Sequence, residues 1–445
     1  MVIVGLTVLI LSALSFFPSD WKVAGVHLRP VDIFSDIRRP AIVPQNRSAA
    51  ASVSPKPRAA AGIIDYGKQP GGALAAFYRS LKNRQGRTRI AYYGDSMIEG
   101  DLITMDVRDV LQSRFGGRGV GFVPITSPTA GFRPTIRHTF SDDWKSISLI
   151  DPSPERRSLG PSGMGFMPAI HADSLSENTG AANSWVEYRP GKRNGTPTTF
   201  DRVRLLYGPA RSGGLVHWHS GKRDGVVALE EGTDARQVSI PIDCGSKALR
   251  LEFSSPDSIT IYGASIESDS GVYVDNYSLR GNSGVPLTAI PGGVLKSCAQ
   301  MLEYKLIVLQ FGANVANTEA KEYDWYHRSM VHVVNYFQRT CPDASLLIVG
   351  MGDKARKDGM TLATDSCIFP LIEAQRKIAE ETHVAFWNLF DAMGGMNTMT
   401  QWVSARPPLA QSDYTHVTGG GAYKIAHLLT TALLDGYVLF QRGIH

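Results

Sequence analysis

Residues 87–115, RTRIAYYGDSMIEGDLITMDVRDVLQSRF, decide how the chain reads. Thr88–Tyr93 is a short β-branched and aromatic run, which suits a strand, and it ends in Gly94-Asp95-Ser96. From Ile103 to Phe115 the apolar residues Val107, Val110, Leu111 and Phe115 recur at helical spacing. The stretch is strand, tight turn, helix, and the same unit returns downstream. In Leu302–Phe311 the run LIVLQF is too uniformly apolar for a half-exposed strand and fits a parallel sheet covered on both faces. Ala344–Gly350 (ASLLIVG) is followed by helical spacing around Pro370–Thr382. Val384–Leu389 reads as a fourth strand, and Gly421–Leu434 as a final amphipathic helix. Strands alternating with helices imply a doubly wound parallel α/β sheet, with active groups in loops at the strands' carboxyl ends.

Between the first and second units a long stretch breaks this rhythm. Within it Arg202–Tyr207, Gly214–His219, Gln237–Ile242, Ala248–Phe253 and Ser258–Ile266 are short alternating segments separated by Gly, Pro, Asp and Ser turns. That pattern predicts an antiparallel β-sandwich inserted over 125–271, leaving 62–124 and 272–445 as the two parts of the α/β domain. Pro124–Asn183, rich in Pro, Gly and Ser, shows no period and reads as irregular cover for the site.

Val2–Phe17 carries no charge and is rich in Val, Leu and Ile. Its length lies between a signal-peptide apolar region and a minimal membrane span, so it reads as an export signal that is either removed or kept as an inner-membrane anchor. Residues 38–61, RRPAIVPQNRSAAASVSPKPRAAA, have the composition of a flexible linker. Residues 1–61 are thus expected to be signal or anchor plus linker, and the folded body to be periplasmic. A composition 43% apolar and 20% charged is that of a globular protein. The net charge of +5 arises from 46 basic and 41 acidic residues scattered along the chain, without the dense basic face that nucleic acid requires. Cys244, Cys298, Cys341 and Cys367 show no metal spacing; Cys341 with Cys367 or with Cys298 could form a disulfide, or all could be free thiols.

Ser96 follows the first strand, where its hydroxyl would point into the crevice above the sheet, the place for a nucleophile. Near the other end, Asp413-Tyr414-Thr415-His416 precedes Gly419-Gly420-Gly421 and the last helix. The three-residue offset lets one turn of chain bring the Asp413 carboxylate to one ring nitrogen of His416, leaving the other to take a serine proton. Asn314, in Gly312-Ala313-Asn314 after the buried strand, is a natural oxyanion donor, and so is the backbone N–H of Gly281.

Taken in the order Ser96, Gly281, Asn314, Asp413, His416, these positions resemble the four sequence blocks of the SGNH (GDSL-like) hydrolases, over residues 62–124 and 272–445. The resemblance implies a flavodoxin-like three-layer sheet and a serine esterase. In it Ser96 is nucleophile and oxyanion donor, Gly281 and Asn314 are the other donors, Asp413 is the orienting acid and His416 the base; no metal or cofactor is needed. Met97 stands where the family's first block usually has Leu or another apolar residue. The long insert, with Ile259–Gly284 and Phe386-Trp387-Asn388 to Met393-Gly394-Gly395, looks like the peptidoglycan O-acetylesterase subgroup, whose hydrolase domain is interrupted by a carbohydrate-binding-module-like sandwich. The implied partner is an acetylated envelope glycan, with a monomer expected. A polysaccharide O-acetyltransferase using the same triad, or a non-catalytic glycan-binding protein, are the competing functions. Within the insert, His217 and His219 share a strand face but lack a third metal ligand, and Trp185, Tyr188, Tyr207 and Trp218 serve either as core or as sugar-stacking platforms.

Overall fold

The computed structural model describes residues 62–83, 86–152, 158–169, 184–193, 196–197, 200–254, 259–358 and 361–444, together with a short strand pair, Lys22–Val23 with Val26–His27. The apolar stretch Val2–Phe17 and the linker 38–61 lie outside the described residues, among which no helix is long and apolar enough to cross a membrane.

Six strands form the central sheet: β1 (Ile64–Asp65), β2 (Arg87–Gly94), β3 (Gly271–Ser278), β4 (Tyr304–Gln310), β5 (Ser345–Val349) and β6 (Ala385–Trp387). Their spatial order is β3-β2-β4-β5-β6-β1. The first five run parallel, and β1 pairs antiparallel with β6 at the edge. Read in chain order, the parallel strands lie 2-1-3-4-5, the flavodoxin-like winding, whose switch point falls where β3 and β4 flank β2. Alternate residues feed opposite faces. Ile90, Tyr92, Leu306, Val308 and Leu347 pack under helices α1 (Ala75–Asn83), α2 (Thr104–Phe115) and α6 (Gly419–Gln441). Ala91, Tyr93, Ile307, Leu309 and Ile348 pack on the other face under α3 (Gly292–Leu302), α4 (Asp324–Thr340) and α5 (Ile368–Thr382). Coverage on both sides is why β4 and β5 carry continuous apolar runs in the sequence.

The insert is a sandwich of two antiparallel sheets. One has the order 236–240, 202–207, 261–267, 164–167, 145–148, with Gly121–Val123 also paired to Ile261–Glu267. The other has the order 223–229, 214–220, 249–254, 185–190, 136–140. Val203, Leu205 and Ile261 from the first meet Val216, Trp218, Leu251 and Phe253 from the second in one buried core. Three of these strands, Ile136–Phe140, Lys145–Ser148 and Met164–Met167, arise in the stretch expected to be irregular. Their register is set by pairing with distant partners such as Trp185–Pro190, which local periodicity cannot reveal.

Buried charges join the sandwich to the sheet. Arg89 on β2 donates to Asp275 on β3 at 2.7 Å and to Glu267 on the sandwich strand 261–267, and Glu267 also accepts from Arg204. The side chains of Arg89, Asp275 and Glu267 have no solvent exposure. A set so desolvated holds only as a complete set, because one missing partner strands a buried charge. The four cysteines are free thiols, Cys244 exposed and the others buried, so the disulfide alternative is not formed. Helix α4 lies outside the sequence expectations although Tyr326, Met330, Val333, Val334 and Phe337 bury one face of it. The last helix runs from Gly419 to Gln441, beyond the expected 421–434.

Candidate active site

Strand β2 ends at Gly94, where a Cβ would stand 2.9 Å from Ile98 and 3.1 Å from the Gln310 carbonyl oxygen. Only glycine lets the chain leave the sheet this tightly between β3 and β4. The next residue, Asp95, is 1% exposed and caps the following turn by accepting from the Met97 N–H at 2.9 Å. Ser96 opens that turn, a 3₁₀ segment over Ser96–Asp101, so its own N–H belongs to the unpaired donors of a helical start.

The second half of the site is the loop before α6. A bridge between Ala410 and Val417 closes it, the Gln411 N–H donates to the His416 carbonyl at 2.8 Å, and the Thr418 hydroxyl caps α6 by accepting from the Gly421 N–H. Within it Asp413 Oδ1 accepts the N–H groups of Thr415 (3.0 Å) and His416 (2.9 Å), and Oδ2 lies 2.6 Å from His416 Nδ1. His416 Nε2 is 2.8 Å from Ser96 Oγ, across 320 residues of sequence. Partial burial acts to raise the Asp413 carboxyl, but the bonds from the His416 backbone and ring and from Thr415 outweigh it and hold the group below its ordinary value. A carboxylate in that state keeps the Nδ1–H tautomer, so that Nε2 is free to accept from the Ser96 hydroxyl.

Asn314 follows β4, and its amide Nδ2 donates to Asp95 Oδ2 at 3.1 Å and to the Asn282 carbonyl at 3.3 Å. Asp95 thus grips both the turn that Ser96 opens and the Asn314 amide. Burial pushes its carboxyl up to about 6, against the lowering effects of the Met97 N–H, of His416 and of Asn314. Gly281 follows β3 with φ +82°, and a Cβ there would meet nothing within 4 Å. Glycine is therefore needed for the left-handed backbone and not for room. No acceptor for the Gly281 N–H is found among the described residues. Arg280 beside it pairs with Glu99, three residues beyond Ser96, tying the Gly281 loop to the serine's turn.

Ser96, His416 and Asp413 thus lie in one hydrogen-bonded chain, and Asn314 reaches the carboxylate next to Ser96. Asp95 and Asn282 were not predicted as functional; Asp95 lies inside the Gly-Asp-Ser triplet, but nothing local shows that it would find Asn314. Tyr188, Tyr207 and Trp218 belong to the sandwich core, while Trp185 lies half-buried 4.0 Å beneath the Arg250 guanidinium. His217 and His219 sit opposite Glu252 and Arg250 across the strand pair, and no group of three or more His, Cys, Asp or Glu suited to a metal ion occurs among the described residues.

No protein-family model matches the chain, and no curated protein matches it in sequence. Solved structures do. A peptidoglycan O-acetylesterase aligns with a TM-score of 0.67 at 20% identity, over 84% of this chain and 99% of its own. An alignment over that share must span the sandwich as well as the sheet, so the two chains have the same fold. A Bacillus subtilis protein aligns over 67% of this chain and 90% of its own (TM-score 0.31, 12% identity). An acetyl xylan esterase aligns over 36% of this chain and 80% of its own (TM-score 0.28, 14% identity).

Proposed function

We propose that this protein is a serine carboxylesterase that removes O-acetyl groups from a cell-envelope polysaccharide, peptidoglycan being the substrate, through an acyl-enzyme. The observation that carries the reading is the unbroken relay from Ser96 Oγ to His416 Nε2 (2.8 Å) and from His416 Nδ1 to Asp413 Oδ2 (2.6 Å), built at the sheet's switch point. The substrate class is supported by the acetylesterase of the same fold.

In the first half-reaction Ser96 Oγ attacks the acetyl carbonyl while His416 Nε2 takes the hydroxyl proton, and Asp413 stabilises the imidazolium. The carbonyl oxygen becomes an oxyanion held by the N–H groups of Ser96 and Gly281 and by the Asn314 amide. Of the two Asn314 bonds the longer, to the Asn282 carbonyl, is the one an oxyanion would replace; the bond to Asp95 keeps the amide aimed. His416 returns its proton to the departing sugar oxygen. Water, deprotonated by His416, then attacks the acetyl-Ser96 ester, and His416 returns that proton to Ser96 Oγ as the bond breaks, freeing acetate and restoring the serine.

The test is acetate release from O-acetylated peptidoglycan and from 4-nitrophenyl acetate, beside Ser96→Ala. Loss of both activities in the variant, with glycan binding kept, is the expected result. Undiminished ester cleavage by Ser96→Ala would overturn the reading, and acetyl-sugar formed in place of acetate would make the protein an acetyltransferase.

A further inference from the structure

Next to the serine's turn lies a cavity of about 240 Å³ that the triad does not use. One wall belongs to the α/β domain, through Glu99–Asp101 and Asn276–Arg280, and the other to the sandwich, through Ser127–Thr129, Arg133, Ser162 and neighbours. It is close to the reacting ester, because Glu99 is three residues from Ser96 and even an extended chain could not separate them by more than about 11 Å. Arg280, in the other part of that wall, directly precedes Gly281.

Three features bear on what enters it. The first is charge: in the lining the carboxylates of Glu99 and Asp101 pair with the guanidiniums of Arg280 and Arg133, and Arg108 behind the lining binds Asp101 as well, so every charged group of the lining is already paired. An anionic ligand would have to break one of these pairs to gain its own. The second is an orphan: the Ser162 hydroxyl in the lining is buried with no hydrogen-bond partner, which is costly unless a ligand or water satisfies it. The third is Phe132, which is 63% exposed beside Arg133, its ring 3.5 Å from where a Gly100 Cβ would stand. The lining of the cavity is more apolar than polar, and the exposed Phe132 ring beside it offers a flat face on which the apolar side of a ligand can stack.

We propose that this cavity is a subsite for an uncharged, hydroxyl- and amide-bearing sugar ring adjoining the one that carries the ester, with Phe132 as its stacking face and the sandwich as one of its walls. The proposal rests on the esterase reading for its choice of a glycan, but it is tested by binding and so can fail separately. The sandwich then acts in substrate selection at the site itself, and the chain favours polymer over isolated acetyl esters.

The experiment measures binding of tri-N-acetylchitotriose to the full chain carrying Ser96→Ala, with and without Phe132→Ala, by calorimetry. Acetate release from O-acetylated peptidoglycan and from 4-nitrophenyl acetate is measured in the same Phe132 variant with Ser96 intact. Phe132 is exposed, so the variant folds. Phe132→Ala is expected to weaken trisaccharide binding and kcat/KM on the polymer by about 5–10-fold, the range of one aromatic contact, with 4-nitrophenyl acetate unchanged. Phe132→Tyr should restore both. Wild-type affinity in Phe132→Ala, no trisaccharide binding at all, or tighter binding of an anionic oligogalacturonate would each overturn the subsite. None of these would bear on the triad, whose own failure appears as esterase activity surviving Ser96→Ala.

Discussion

Replacing Asp95 by Asn should make the protein more stable at neutral pH and much less active, and both effects follow from where the carboxylate sits. Asp95 is 1% exposed, and its carboxyl stands at about 6 against an ordinary 3.8. That difference corresponds to about 3 kcal/mol, at roughly 1.4 kcal/mol per pH unit, as the cost of keeping the group ionised in the fold. Asn retains the bond from the Met97 N–H through its Oδ1, but sets its NH₂ against the Asn314 NH₂ and forfeits a charge-assisted bond of about 1–2 kcal/mol. A net gain of about 1–2 kcal/mol at pH 8 is expected. Because the folded carboxyl lies above its unfolded value, protonation favours the fold. The stability Asp95 contributes is fully present below 3.8 and lost as pH rises through about 6, so the variant's advantage should shrink as pH falls through that window. Meanwhile Asn314 must turn its carbonyl toward the new NH₂, presenting an acceptor where the oxyanion needs a donor, and kcat should fall by about 10²–10³. Urea denaturation at pH 8 and pH 4, followed by tryptophan fluorescence, measures the first effect, and 4-nitrophenyl acetate turnover the second. A variant that is less stable at pH 8 and fully active would refute the reasoning.

Glu267→Gln removes the carboxylate shared by Arg89 and Arg204, strands buried guanidinium charge, and should cost about 3–5 kcal/mol in denaturant midpoint measurements. Burial would raise the Glu267 carboxyl, yet Arg89 and Arg204 hold it below its ordinary value. Its contribution is therefore present above the unfolded value and lost as pH falls through the folded one, a loss that acid unfolding of wild type and variant will reveal. Gly281→Ala, at φ +82°, should cost about 1 kcal/mol in thermal unfolding and lower kcat by about 10-fold or more, since relaxing the backbone moves the N–H proposed to hold the oxyanion. Asp413→Ala frees the His416 ring and should reduce kcat by about 10³ while leaving the melting temperature nearly unchanged, because the carboxylate is half exposed; an unchanged kcat would remove Asp413 from the relay.

The strand-turn-helix order of the α/β domain was legible because buried parallel strands and amphipathic helices write different periods, and LIVLQF or ASLLIVG admits few other readings. The sandwich strands with clean alternation, such as Arg202–Tyr207, were legible for the same reason. Strands 136–140, 145–148 and 164–167 were not, since what holds them is cross-strand pairing. At the site, Ser96, Asn314 and His416 could be picked out by their positions at element ends. The cavity wall of Thr129 and Arg133, with Phe132 beside it, lies in a stretch without period.

By itself the sequence determined which groups could do the chemistry and which elements would carry them, because both depend on residue type and short-range spacing. The tertiary structure alone decided which distant groups meet: Ser96 with His416, Asp95 with Asn314, Arg89 with Glu267, and the sandwich loop against the serine's turn. Those encounters depend on strand order and on the packing of one domain against the other, and energies of that kind are sums over contacts between residues hundreds of positions apart, which no local pattern encodes.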